Sequence, residues 1–238
     1  MHKPYRITFT GADLGCSVED LLALISEEPR LELAFLYSEK RQGTGRYPPA
    51  AWIKETAERI EYRVGSGRVA LHICGRARSD YLDGKPINLD LGSLWRFYRV
   101  QLNGPLSADQ APQLRRILGE SNAYSVITQY DHNPELHERI RCPGHQVLFD
   151  ASGGRGIERA EWPKHLGDWT CGYAGGLGPH NLPQQLPRIA EAAKGYRYWI
   201  DMEGNLRDEQ DRFSIERARQ ALTAIRLTET QHSSESEE

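Results

Sequence analysis

Residues 168–201 read DWTCGYAGGLGPHNLPQQLPRIAEAAKGYRYWID, and this stretch decides the fold. An aromatic-rich run, 168–174, ends on the glycine pair Gly175 and Gly176. An amphipathic stretch follows as far as Lys194, and a second aromatic-rich run closes at Asp201. Strand, glycine turn, helix and strand make one unit of a parallel sheet. The same alternation extends backwards. Strand-like runs occupy 145–150, 123–129, 97–103, 68–74, 31–37 and 5–10, with helix-like stretches between them. Two of those stretches open with recognisable signals. Ser17 stands three residues before Asp20 in capping-box spacing, and Pro48 and Pro49 precede AAWIKETAERI. After the eighth strand comes FSIERARQALTAIRL, 213–227.

Eight strand-plus-helix units, with short helices in the third, fifth and sixth, predict an α/β fold, a single (β/α)8 TIM barrel spanning 1–227. The strands read as near-continuous apolar runs, as parallel strands covered on both faces do. An open doubly wound sheet is the alternative, but no G-x-G-x-x-G follows the first strand. Residues 85–95 read as an insertion, and 228–238 as a disordered acidic tail.

Composition narrows the function classes. A chain of 238 residues with 39% hydrophobic residues and net charge -3 is not disordered as a whole. No apolar run approaches the roughly 20 residues needed to span a bilayer, and the first residues lack an apolar leader core, so a cytoplasmic protein is expected. Cys16, Cys74, Cys142 and Cys171 have no metal-site or disulfide spacing, so no metal and no cofactor is expected. A pI near 6.3 argues against nucleic acid. The sequence is silent on oligomeric state. Of 30 basic residues only six are Lys. Arginine suits carboxylates and phosphates because its planar fork pairs with two oxygens at once.

In such a barrel the working face lies beyond the C-terminal strand ends. Those ends carry Thr10 and Asp13; Ser38, Arg41 and Arg46; His72, Cys74, Arg76 and Arg78; Asn103; Gln129; Asp150, Gly154 and Arg155; Gly175 and Gly176; Asp201, Glu203, Gly204 and Arg207. Six arginines in loops that share one mouth point to a small anionic ligand bearing phosphate or carboxylate. Glycine pairs directly after strands, at 153–154 and 175–176, let backbone N–H groups converge on an anion. Asp150, ending an apolar strand, suits a general acid or, equally, a cap or ion-pair partner.

The motifs VQLNG (100–104), LFDASGGRG (148–156) followed by Trp162, and YAGGLGPHNL (173–182) resemble those of phosphoribosylanthranilate isomerase. GRYPPAAWI (45–53) and IDMEGNLRD (200–208) are similar to two further segments of that family, in the same order, so the resemblance spans most of the chain. It implies a (β/α)8 barrel that performs an Amadori rearrangement of an aminated ribose 5-phosphate. An acid opens the furanose ring and a base removes the C2 proton. By position, Asp150 would be the acid, Arg46 would hold the substrate carboxylate, and Gly154, Gly175, Gly176 and Gly204 would line the phosphate site. Arg41, Asn103 and Arg155 are further substrate-binding candidates.

Two positions depart from the pattern. Thr10 stands where the family has its catalytic Cys, and a hydroxyl is no base near neutral pH without a strong partner. Glu203 places a carboxylate beside the expected phosphate. Asp13, His72, Cys74 and Glu203 are therefore the candidate bases, with Thr10 retained at the position of the lost one. Three functions follow: an isomerase-like acid/base enzyme on a phosphorylated, sugar-derived substrate; a related lyase, epimerase or hydrolase using a carboxylate pair; or a non-catalytic ligand-binding protein that kept the scaffold.

Overall fold

The structure, a computed structural model, describes residues 1–85, 97–120, 125–140, 142–150 and 157–234. Eight parallel strands close into one barrel in sequence order. They are β1 (Arg6–Thr10), β2 (Leu31–Tyr37), β3 (Val69–Ile73), β4 (Arg99–Leu102), β5 (Ser125–Gln129), β6 (His145–Phe149), β7 (Thr170–Ala174) and β8 (Tyr198–Met202). The seam is the β1–β8 ladder, with Ile7 opposite Ile200 and Thr8 opposite Asp201.

Seven α-helices form the outer layer among the described residues: α1 (Val18–Ser26), α2 (Ala50–Val64), α3 (Arg76–Leu82), α4 (Ala111–Glu120), α5 (Pro134–Ile140), α6 (Leu182–Ala193) and α7 (Ile215–Ser234). The short α3 and α5, and the lack of a helix in 157–169, match the weak helical signal of the third, fifth and sixth units. At α1, Ser17 Oγ accepts the Asp20 N–H at 3.1 Å and donates to Asp20 Oδ2 at 2.6 Å, so the expected cap forms. Of the expected insertion, 85–95, all but Lys85 lie outside the described residues.

Two expectations need correction. First, α7 runs on to Ser234, and Thr228 and Glu229 are buried. Glu229 binds Arg30 at 2.7 Å and Lys3 at 3.6 Å, so the segment after 227 is anchored helix rather than loose tail; residues 235–238 lie outside the described residues. Second, the strands alternate. Outward-facing Ile7, Phe9, Val100, Leu102, Val147 and Phe149 pack the main core against the helices. Inward-facing positions are largely polar, because the barrel interior holds a charged network. Arg99 Nη1 donates to Glu32 Oε1 at 2.7 Å, its Nε reaches Gln146 Oε1 at 3.1 Å, and its guanidinium lies 4.2 Å from the Trp199 ring. Glu32 also accepts from Thr8 at 3.0 Å and pairs with Arg6. A carboxylate this deeply buried is tolerable only because it is paired and hydrogen-bonded. Beside this network a small apolar plug of Ile127, Leu148, Ala174 and Trp199 packs inside the barrel. Gly172 makes room for it: a Cβ there would sit 2.1 Å from Trp199. Leu148 and Ala174 of this plug line the cavity of the site.

Candidate active site

One cavity of about 430 Å³ opens at the C-terminal ends of the strands. It gathers side chains far apart in sequence: Arg41 and Arg46 from the β2 loop, His72 and Cys74 from β3, Asn103 after β4, Asp150 after β6, Gly175 and Gly176 after β7, Glu203 and Gly204 after β8. Tyr47, Gln101, Gln129, Asn205 and Asp201 also line it. Gly154 and Arg155 lie outside the described residues.

The polar groups are held in defined orientations. The Gly104 N–H donates to Gln129 Oε1 at 2.9 Å, which turns Gln129 Nε2 toward Asp150 Oδ2, 3.2 Å away. Asn103 Nδ2 donates to Cys74 Sγ at 3.3 Å, and Asn103 Oδ1 accepts from Gln101 Nε2 at 2.7 Å. On the β7 loop, Asn181 Nδ2 and Asn205 Nδ2 both donate to the Gly176 carbonyl, at 2.9 and 2.6 Å. Gly175 and Gly176 have φ of 123° and 65°, conformations that glycine reaches without strain.

The expected residues fare differently. Thr10 is buried at the end of β1, and its Oγ1 donates to Asp201 Oδ1 at 2.7 Å. The position that departs from the resembling family thus touches the cavity through a carboxyl group. Asp13 does not line the cavity. Its carboxylate pairs with buried Arg207 and accepts the N–H groups of Gly15 (2.9 Å) and Phe213 (3.3 Å). Asp13 is therefore an anchor for the loop between β8 and α7, not a base, and Arg207 is a structural cation rather than a mouth arginine. Arg46 lines the cavity but is occupied. Its Nη1 meets Glu203 Oε1 at 2.6 Å and its Nη2 meets Asp211 Oδ1 at 2.8 Å.

Burial sets the protonation of the remaining groups. It drives the His72 imidazole down to about 3, so the ring is neutral and weakly basic. It pushes the Cys74 thiol up, away from the thiolate, against the Asn103 and Tyr47 hydrogen bonds. It also raises the Glu203 carboxyl, which Arg46 opposes. Asp201 is moved furthest, to about 8. Burial leads, the neighbouring Glu203 and Asp150 carboxyls add to it, and the Thr10 hydrogen bond only partly offsets it. Asp201 keeps its proton at neutral pH. Sequence reasoning placed Asp201 at a strand end and gave it no role. The signal was the spacing in Trp199-x-Asp201-x-Glu203, which turns all three toward the barrel axis.

The barrel is similar to those of phosphoribosylanthranilate isomerases. The Thermus thermophilus phosphoribosyl anthranilate isomerase superposes with a TM-score of 0.63 at 18% identity, covering 93% of this chain and 98% of that one. TrpF from Jonesia denitrificans gives 0.63 at 13%, covering 94% and 98%. A third such isomerase, in complex with reduced 1-(o-carboxyphenylamino)-1-deoxyribulose 5-phosphate, gives 0.55 at 15%, covering 93% and 98%. At these identities the likeness establishes the fold. No protein-family description matches the sequence, and no curated protein does. Among the described residues no three potential metal ligands cluster, and no helix is long and apolar enough to cross a membrane.

Proposed function

We propose that this chain is a phosphoribosylanthranilate-isomerase-like enzyme that moves protons on a small, phosphorylated, sugar-derived substrate through a pair of carboxyl groups, Asp201 and Asp150. The observation that carries this reading is the 2.7 Å hydrogen bond from Thr10 to Asp201 on the wall of a cavity that Asp150 also lines. Thr10 cannot act as a base, and its hydroxyl instead orients a neighbouring carboxyl. With Oδ1 engaged by Thr10, Oδ2 is left to carry the proton. Asp201 is then the acid that protonates the ring oxygen as the furanose opens to an imine. Asp150, positioned by Gln129, takes the C2 proton. The resulting enolamine gains a proton at C1, supplied by Asp150 after exchange with solvent, and loses its C2 hydroxyl proton, which returns Asp201 to the acid form, so that the 1-amino-1-deoxyketose leaves both carboxyl groups as they began. These roles reverse the acid assignment that the resemblance implies for Asp150, because here the proton is held at β8.

Two features support a phosphate at the β7 and β8 loops. The glycine turns at Gly175, Gly176 and Gly204 border the cavity, and Asn181 and Asn205 fix the Gly176 carbonyl. Glu203, which would repel a phosphate if left bare, is neutralised by Arg46. His72, a neutral ring, and Cys74, a protonated thiol, are left as contacts rather than bases.

The test is conversion of phosphoribosylanthranilate, followed by its fluorescence, and of aminated ribose 5-phosphates bearing other amines. Turnover by the wild type, reduced about 10²- to 10⁴-fold in both Asp150→Asn and Asp201→Asn, is the expected result. The replacement of the family's Cys by Thr10 favours one rival, a binding protein without catalysis. A wild type that binds these compounds and returns all of them unchanged would establish that rival.

A further inference from the structure

We propose that residues 41–47 form a flap latched across the cavity mouth by Arg46, and that this latch must open for a small molecule to pass between solvent and the cavity. The inference concerns access and holds whether or not the chain is an enzyme.

The flap is a self-contained turn. The Gly43 N–H donates to the Tyr47 carbonyl at 2.7 Å and the Tyr47 N–H to the Thr44 carbonyl at 3.0 Å. The Thr44 N–H and hydroxyl both donate to the Arg41 carbonyl, at 3.1 and 2.6 Å. The Arg41 guanidinium lies 5.1 Å from the Tyr47 ring centroid, so cation–π attraction adds to the turn's own bonding. Gly43 and Gly45 have φ of 75° and 50°, and a Cβ on either would meet no atom of the described residues within 4 Å. The turn stands clear of the body and is bonded to move as one piece.

At its base the flap is tied by Gln42, whose Nε2 donates to the Tyr37 hydroxyl at 3.3 Å and whose Oε1 accepts the Ala50 N–H at 3.0 Å. At its far end the tie is ionic. Arg46 Nη1 meets Glu203 Oε1 at 2.6 Å, Nη2 meets Asp211 Oδ1 at 2.8 Å, and Nε meets Asp211 Oδ2 at 3.2 Å. The post that receives it is fixed, because Asp211 also pairs with Arg207, which is buried against Asp13. In the barrel β1 alone separates β2 from β8. The tie therefore spans the end of β1, where Thr10 holds Asp201.

Two features make this tie a latch. The Asp211 carboxylate is 56% exposed and the Arg46 side chain 30%, and ion pairs so open to water are weak and screened by salt. The flap is also a wall. Arg41, Arg46 and Tyr47 line the main cavity, and Arg41 and Tyr47, together with Cys74, line a second one of about 560 Å³. The Tyr47 hydroxyl hydrogen-bonds the Cys74 thiol. The flap is thus a partition between the two spaces, and lifting it joins them and uncovers Cys74.

Cys74 is the reporter. Its alkylation by iodoacetamide, a small neutral reagent, is followed by peptide mass spectrometry at constant pH in the wild type and in Asp211→Asn. Asparagine suits the left-handed backbone at 211, where φ is 56°, so the variant removes the charge and keeps the turn. Alkylation of Cys74 is expected to be about two- to fivefold faster in Asp211→Asn. Arg46→Lys, which keeps the charge and loses the fork, is expected to give a smaller rise. Hydrogen exchange over 41–47 is expected to quicken in Asp211→Asn, while buried Cys16 and Cys171 react as slowly as in the wild type. The proposal is overturned if Cys74 alkylation or exchange over 41–47 is the same in the wild type and Asp211→Asn. It is also overturned if Cys16 and Cys171 quicken in step with Cys74, since Asp211 would then hold the fold and not the flap. These readouts report access and not turnover, so their failure leaves the acid/base reading standing.

Discussion

At Asp201 three opposing influences meet. Burial and two neighbouring carboxyl groups favour the neutral acid, while the Thr10 hydroxyl favours the anion, and the balance lies at about 8. Turnover is therefore expected to fall as pH rises through about 8, where the acid loses its proton, and a pH profile of kcat reads this directly. Stability responds in the opposite sense to a normal carboxylate. The unfolded chain ionises Asp201 near 4, so between pH 4 and 8 folding must take up a proton against its tendency to leave. Asp201→Asn removes that cost. The variant is expected to gain about 1–3 kcal/mol, or roughly 3–10 °C in Tm, at pH 8. The gain should vanish near pH 4, where wild-type Asp201 is protonated in both states. A melting series over that range checks it, and a variant less stable than wild type at pH 8 would contradict it. With Asp201 as the proposed acid, catalytic power and fold stability are in tension at this residue. Sequence alone could place Asp201 at a strand end. It could not show the Thr10 contact, which joins residues 191 positions apart and depends on the barrel's closing seam.

The strand count, their order and the position of many of the cavity residues, among them His72, Asn103, Asp150 and Glu203, were readable from element patterns, because strand ends in a parallel barrel must share one rim; Tyr47, Gln101 and Asn205 were not. The alternation inside the strands was harder to read. Glu32, Arg99 and Gln146 are polar residues in runs that otherwise look apolar, and only barrel closure brings them together. The ion pair Arg207–Asp13 is a similar case. Asp13 looked like a mouth carboxylate, yet it secures the loop between β8 and α7 that carries Glu203 and Asp211. Asp13→Asn leaves buried Arg207 with only the more exposed Asp211 carboxylate as its charge partner and is expected to cost about 1–3 kcal/mol, measurable as a fall in urea midpoint. Beneath α5, His137 and His145 stack at 5.4 Å and share the Thr128 hydroxyl. Burial lowers them to about 4 and about 3. Their folded values lie below the unfolded value near 6.5, so the stability they support is intact above that pH and is lost as pH falls toward 4. Denaturation midpoints should decline between pH 6.5 and 4, and His145→Gln should flatten that decline.

For the whole molecule, the fold places a sugar-sized cavity at the strand ends, lined in part by an apolar plug, with carboxyl groups at β6 and β8. The scaffold resembles that of known isomerases, and under the proposed reading proton handling falls to Asp201, oriented by Thr10, and to Asp150. The central claim is that these carboxyls exchange protons with a bound sugar phosphate. The most direct measurement is mass spectrometry and NMR of phosphoribosylanthranilate incubated with the wild-type protein in D2O. Ketose product carrying a solvent deuteron at C1 is the expected result. Recovery of the starting aldose amine, unconverted and unlabelled, would contradict the claim.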